Sequence, residues 1–184
     1  TGEVVRVGPR NRGLGGEEGL QRVDDTLRAF GRLGVASVPP AVLGYGLRGL
    51  VSIAAVYAMR PRILILDEPT AGLDRHETQE LMGRIEALHA AGHTIVLVSH
   101  DMQLVAEHCR ELLVMDSGRV LLRGPPADVF ARGEDLARAS LAPPPVTALA
   151  ARLSDTGLAP GLLTVQAFAA AYGQLLERSQ RGRP

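Results

Sequence analysis

Hydrophobic and polar positions alternate along this chain in patterns that predict most of its elements. Leu20, Val23, Leu27, Phe30 and Leu33 recur at helical spacing, so an amphipathic helix is predicted over Glu17–Leu33. The Gly- and Arg-rich opening, Thr1–Gly19, lacks clear periodicity and reads as loop. A second helix is predicted from about Tyr45 to Met59, broken by Pro61, which removes a backbone donor and clashes with the preceding turn. Ile63–Leu66 is a continuous apolar run, as expected of a strand covered on both faces. Arg75–Ala91 follows as a helix with Leu81, Ile85 and Leu88 on one face and Gly92 as its stop. Thr94–Ser99 reads as a second strand, and Met102–Cys109 as a short helix capped by Asp101. Leu112–Met115 and Val120–Leu122 flank Asp116-Ser117-Gly118, a hairpin turn. Pro143-Pro144-Pro145 marks a boundary, beyond which Val146–Leu153 and Thr164–Leu176 read as helices and Gln180–Pro184 as a disordered tail. Strands separated by helices imply parallel α/β architecture, finished by one antiparallel hairpin.

Composition narrows the function classes. The 184 residues carry 20 basic and 20 acidic side chains, and this balance argues against nucleic-acid binding through a basic field. The apolar stretch Ile53–Met59, between Arg48 and Arg60, is far too short to span a bilayer, and no signal-peptide core follows Thr1. One cysteine, Cys109, leaves no internal disulfide framework and fits a reducing compartment, so a soluble, cytoplasmic chain is expected. With aromatics at 3% and no Trp, the core must be built from Leu, Val, Ala and Ile. All 20 basic residues are Arg, so any chemistry requiring a lysine among these residues is excluded.

The chemistry concentrates in Arg62-Ile63-Leu64-Ile65-Leu66-Asp67-Glu68-Pro69-Thr70-Ala71-Gly72-Leu73-Asp74. Apolar strand residues deliver two adjacent carboxylates to the carboxyl end of a strand, where open α/β sheets bind ligands. An Asp there can hold Mg²⁺ through its water shell, and an adjacent Glu can polarise a water against a phosphate. His76, His89, His93 and His108 share no metal-ligand spacing with a cysteine pair, which favours solvated or capping roles. Cys109 reads as a small buried apolar residue, and the Leu81/Ile85/Leu88 stripe as core.

The Asp67–Asp74 segment resembles the Walker B motif and D-loop of ABC-type ATPases. Leu97-Val98-Ser99-His100-Asp101, at the end of the next strand, is similar to that family's switch histidine. Leu43-Gly44-Tyr45-Gly46-Leu47-Arg48 occupies the place of the signature Leu-Ser-Gly-Gly-Gln, with Gly44 in place of the Ser, Tyr45 in place of a Gly, and Gly46 retained. The signature presents a hydroxyl and backbone N–H groups to a phosphate held by a partner subunit. Losing that hydroxyl costs roughly 1.5–3 kcal/mol for a bond to a charged group, and Tyr45 adds bulk where backbone must approach phosphate. No Gly-x-x-x-x-Gly-Lys-Ser/Thr loop is present; Gly13-Leu14-Gly15-Gly16 is followed by Glu17-Glu18, the wrong charge for a phosphate cradle, and is expected to lead into a helix.

Val7-Gly8-Pro9-Arg10-Asn11-Arg12-Gly13-Leu14, with Glu17-Glu18 and Arg22-Val23, looks like the stretch beyond the Q-loop in the energy-coupling factor (cobalt, nickel and vitamin) importer branch. Gly124-Pro125-Pro126-Ala127-Asp128-Val129-Phe130 resembles the short helix closing such domains, and Pro144-Pro145-Val146-Thr147 with Leu163-Thr164-Val165 resembles their C-terminal extension. The resemblance implies the C-terminal part of a P-loop NTPase (ABC ATPase) domain, beginning roughly midway, and the absent initiator Met agrees with a fragment or truncation, though processing also removes it in some proteins. It divides the chain into a partial nucleotide-binding domain over 1–142 (helical signature subdomain about 17–60, core about 61–142) and a small helical extension over 143–184.

In function, the resemblance implies an importer ATPase subunit, peripheral to the inner face of the cell membrane, that drives uptake of a metal ion or vitamin with ATP and Mg²⁺. Asp67 would hold the Mg²⁺ via water, Glu68 and His100 would be catalytic, and Asp74, Gly46 and Gly44 would serve nucleotide and partner communication. The implied partners are a second ATP-binding subunit, met through the C-terminal extension, and a transmembrane transporter subunit, with no nucleic acid. The alternative is a non-catalytic paralogue acting as a dimerisation or structural partner. Without the phosphate loop, these residues alone are expected to be inactive. DNA-repair-type ABC ATPases also carry an Asp-Glu pair and a signature, but this chain has neither a heptad run nor net positive charge.

Overall fold

The structure is a computed structural model that describes residues 1–31 and 33–181. It contains two compact units, Thr1–Val98 and the residues from Ser99 onward.

The first unit opens with a finding the sequence pattern hid. Gly2–Asn11 is a helix (α1), where a loop was expected. Val5 and Pro9, one turn apart, are its buried residues, and α1 packs on the two helices that follow. Gly8 and Pro9 read as helix breakers, but Gly8 is a contact point: a Cβ there would sit 2.8 Å from the Met59 side chain. The next helix, α2 (Gly16–Ala29), starts straight from the Gly-rich stretch and has Glu17 and Glu18 in its first turn. It buries Val23 and Leu27, with Phe30 just beyond it, but Leu20 is exposed. α2 stops four residues before the expected end because Gly31 turns left-handed (φ 63°), its N–H donating to the Arg28 carbonyl. The side chain of Leu33 lies outside the described residues. Two short 3₁₀ turns, Leu33–Val35 and Pro40–Val42, lead to α3 (Tyr45–Tyr57), which buries Leu50, Val51, Ile53 and Ala54.

Strand β1 (Ile63–Asp67) pairs in parallel with β2 (Thr94–Val98), Ile65 opposite Val96 and Asp67 opposite Val98. The crossover is α4 (Arg75–Ala90), with Leu81, Met82, Ile85 and Leu88 buried. Gly92, at φ 98°, ends it, its N–H donating to the His89 carbonyl while the His93 N–H returns to Leu88. Arg84 of α4 reaches back to α2, one guanidinium nitrogen donating to the Ala29 carbonyl (3.2 Å) and the other to Glu80. His93 holds the start of β1, its Nδ1 2.7 Å from the Pro61 carbonyl and its ring edge-on to Tyr57.

The continuous apolar run of β1 does not end up covered on both faces within this unit. Leu64 and Leu66 are buried, whereas Ile63 is 59% and Ile65 71% exposed. Val96 and Val98 share the exposed face with them, because parallel partners point the same way. The described residues of this unit supply a layer for one face only.

In the second unit, α5 (Met102–His108) begins at Asp101, whose carboxylate accepts from the Gln103 and Leu104 N–H groups, both at 3.0 Å. Strands β3 (Leu112–Asp116) and β4 (Arg119–Gly124) form the antiparallel hairpin. Its two-residue turn has Ser117 at φ 49° and Gly118 at φ 77°, the mirror-image turn that matches strand twist. Two short helices follow, α6 (Pro126–Phe130) and α7 (Gly133–Arg138), the latter without a counterpart in the sequence reading. Ala106, Leu112, Val114, Leu122, Val129, Phe130 and Leu136 form the core, with Leu141 and Leu163 packed against it.

The expected C-terminal helices are α8 (Pro145–Arg152) and α9 (Val165–Arg181). Gln180 and Arg181, expected in a disordered tail, continue the α9 backbone; residues 182–184 lie outside the described residues. Cys109 is half-buried against the core, and burial pushes its thiol pKa up. Less thiolate is then present at any given pH near 8. Alkylation of the single cysteine should therefore run slower than that of free cysteine under native conditions and match it in denaturant, as followed by iodoacetamide mass shift.

Candidate functional site

Asp67 closes β1 and Glu68 begins the turn that leaves it. The Glu68 N–H donates to the Val98 carbonyl (2.9 Å), extending the parallel ladder one residue past the strand. There the backbone enters the left-handed region, φ 45°, which costs a residue with a Cβ on the order of 1–2 kcal/mol. Such strain at the carboxyl end of a parallel strand is where functional residues concentrate. The turn closes on itself, the Ala71 N–H meeting the Glu68 carbonyl and the Leu73 N–H the Thr70 carbonyl, both at 3.1 Å. Asp67 is exposed on the same face as Ile65 and Val98, and Glu68 is half-buried.

Asp74 is the N-cap of α4. Its carboxylate accepts the Glu77 N–H at 2.8 Å, and Glu77 accepts the Asp74 N–H at 3.1 Å, a complete capping box. Gly44 is the N-cap of α3 and has no side chain with which to cap it. Gly46 is the second residue of α3, buried, with the Glu77 carboxylate where its Cβ would be. Tyr45, the bulky departure from the signature pattern, lays its ring on Gly72, whose own Cβ would fall 2.8 Å from Cε1. The Arg48 guanidinium sits 5.8 Å from the centre of that ring. The structure thus brings Tyr45 and Gly46 onto Gly72 and Glu77. Glu77 was missed as a site residue, although the Asp74-x-x-Glu77 spacing announces the capping box in the sequence.

His100 belongs to the second unit, in the bend before α5, where the Ser99 hydroxyl accepts the Asp101 N–H at 3.1 Å. Among the described residues no cluster of three or more His, Cys, Asp or Glu side chains could hold a metal ion. Asp67 alone still suits Mg²⁺, which binds through one or two carboxylates and keeps several waters. Among the described residues Gly13–Gly16 does not form a phosphate cradle, because it runs into α2 and its two glutamates, and the sequence has no lysine.

Gly44 has open space where a Cβ would go and an ordinary φ of −58°. Gly44→Ser should therefore be accommodated, adding only a few tenths of a kcal/mol as an N-cap, as read by denaturant unfolding.

A family model described as "AAA domain, putative AbiEii toxin, Type IV TA system" matches residues 7–106, which include Asp67–Asp74 and Ser99–Asp101. The energy-coupling factor transporter ATP-binding protein EcfA2 of Symbiobacterium thermophilum is 40% identical over 189 residues, covering 99% of this chain and 65% of the relative. EcfA2 of Streptococcus thermophilus is 41% identical over 156 residues, covering 84% of this chain and 56% of its own length. The solved cbiO1 of Clostridium perfringens, part of the ABC transporter complex cbiONQ, superposes with a TM-score of 0.63 at 38% identity, covering 74% of this chain and 55% of that one. This chain belongs to the ABC ATPase family.

Its fold is accordingly that of an ABC ATPase domain, and the structure described as "An inward-facing conformation of a putative metal-chelate type ABC transporter", 19% identical with a TM-score of 0.68 over 76% of this chain and 57% of that one, shares it. The chain spans 27%, 28% and 65% of the length of three curated relatives it matches. No helix among the described residues is long and apolar enough to cross a membrane.

Proposed function

We propose that this chain serves the energy-coupling ATPase of an ABC importer of the energy-coupling factor class, driving uptake of a metal ion or vitamin. The observation that carries this reading is the pair Asp67-Glu68 at the carboxyl end of β1, with Glu68 held in left-handed backbone by its bond to Val98. The 40% identity to an EcfA2 supports the importer class.

In this reading Asp67 would hold Mg²⁺ through bound waters, and the ion when bound offsets the charge of the transferring phosphoryl group. Glu68 orients and polarises the attacking water. His100 contacts the terminal phosphate, Gly44 and Gly46 present the α3 N-terminus to a partner's nucleotide, and Asp74 carries the state of one site to the other. The partners are a second ATP-binding subunit and a transmembrane subunit, placing the chain at the cytoplasmic face of a membrane. Exposed Tyr172 and Leu176 on α9 support a dimer contact through the extension.

A second reading, a non-catalytic paralogue that acts as a structural partner, is favoured by the Gly44-Tyr45 departure. One experiment separates the two. The part of Symbiobacterium EcfA2 that precedes its match to this chain is fused ahead of Thr1, and ATP hydrolysis is measured. Hydrolysis supports the ATPase reading; nucleotide binding without hydrolysis supports the structural partner.

A further inference from the structure

Two side chains in the first unit join segments more than twenty-five residues apart. Tyr45, at the start of α3, covers Gly72, which has no room for a Cβ beneath the ring and adopts φ 74°. Arg48, one turn along α3, places its guanidinium over the same ring, 5.8 Å from its centre. Thirty-one positions after Gly46, the Glu77 carboxylate fills the space beside that glycine while accepting the Asp74 N–H. Gly46, Leu47, Leu50, Leu73, Glu77 and Glu80 line the small cleft between these contacts. One contact alone would leave a hinge; two contacts from opposite segments fix both position and rotation.

We propose that Tyr45 and Glu77 clamp the start of α3 to the Gly72–Asp74 turn, so that the two segments move as one body. Both are positioning residues: Tyr45 acts through Gly72, and Glu77 through Gly46 and Asp74. The Tyr that departs from the signature pattern thereby has a use, because its ring lies on the turn of its own chain. The inference goes beyond the ATPase reading, and the coupling is measurable without nucleotide. Where that reading holds, the clamp relays contact at the α3 N-terminus to Asp74 within a single chain.

Amide hydrogen exchange on the 184-residue chain tests it. The informative reporters are Ala71 and Leu73, bonded to Glu68 and Thr70, and Arg48, bonded to Gly44. Tyr45→Ala should speed exchange at Ala71 and Leu73 about tenfold, the scale of one lost interaction. Tyr45→Phe, which keeps the ring, should leave both at the wild-type rate. Glu77→Ala should speed Arg48 by a similar factor, and Glu77→Gln, which keeps the volume and an acceptor, should restore most of the protection. Amides of β1 should not change in any variant.

The clamp is overturned if Tyr45→Ala affects only α3 and Glu77→Ala only the first turn of α4. It is equally overturned if β1 exchanges faster by the same factor, which would mark general loosening. Loss of ATP hydrolysis in the fused protein with these couplings intact would count against the ATPase reading and not against the clamp.

Discussion

Replacing Glu68 by Gln in the fused protein should lower ATP hydrolysis by at least about a hundredfold, the lower end of what a positioned general base contributes, while nucleotide binding persists. Glu68 sits at φ 45°, and its N–H and carbonyl are both engaged, with Val98 and Ala71. Gln has the same length and the same backbone preferences, so the turn and its strain are retained and the fold is not perturbed. What changes is the carboxylate, the group able to polarise water next to a transferring phosphoryl group. Asp67→Asn, one residue earlier, should act differently: it weakens the Mg²⁺-dependent part of nucleotide affinity and raises the Mg²⁺ concentration needed for turnover. Hydrolysis that survives Glu68→Gln unchanged would reduce Glu68 to a turn residue and leave the strained backbone without a catalytic explanation.

The sequence made much of this site legible, because its local chemistry is strong. The apolar run ending in Asp67-Glu68, the Asp101 N-cap and the glycine stop at Gly92 each determine local geometry through nearest neighbours, and each element lies where those signals put it. Helix α1 was hidden because Gly8 and Pro9 have two meanings. As local signals they break helices, but here Gly8 admits Met59 and Pro9 is buried one turn after Val5. The apolar character of Ile63 and Ile65 predicts cover on both faces, yet the described residues of the first unit cover only Leu64 and Leu66. A one-dimensional pattern records what a strand is suited to contact, whereas cover depends on which elements are present. Tyr45 is the clearest tertiary case. In the sequence it is a bulky replacement for glycine, and only the approach of Gly72 shows where the ring goes.

The 184-residue chain by itself should bind Mg-ATP no more tightly than millimolar, with Glu68→Gln indistinguishable from wild type, when titrated by calorimetry. Nucleotide affinity in phosphate-loop proteins rests on backbone N–H groups and a lysine around the phosphates. Each hydrogen bond to a charged group contributes about 1.5–3 kcal/mol, so losing three of them removes roughly 5–9 kcal/mol. A micromolar site has only about 8 kcal/mol to lose, and millimolar binding corresponds to about 4. The residues that remain cannot make up the difference: the Gly13–Gly16 stretch opens a helix bearing Glu17 and Glu18, whose charge repels phosphate, and Asp67 is an anion that engages nucleotide only through a metal. Arginine is the one abundant cation available, with all 20 basic positions occupied by it. Micromolar binding abolished by Asp67→Asn would therefore mean that arginine side chains and backbone donors replace the phosphate loop, and it would sink the reading in which these residues depend on others for nucleotide.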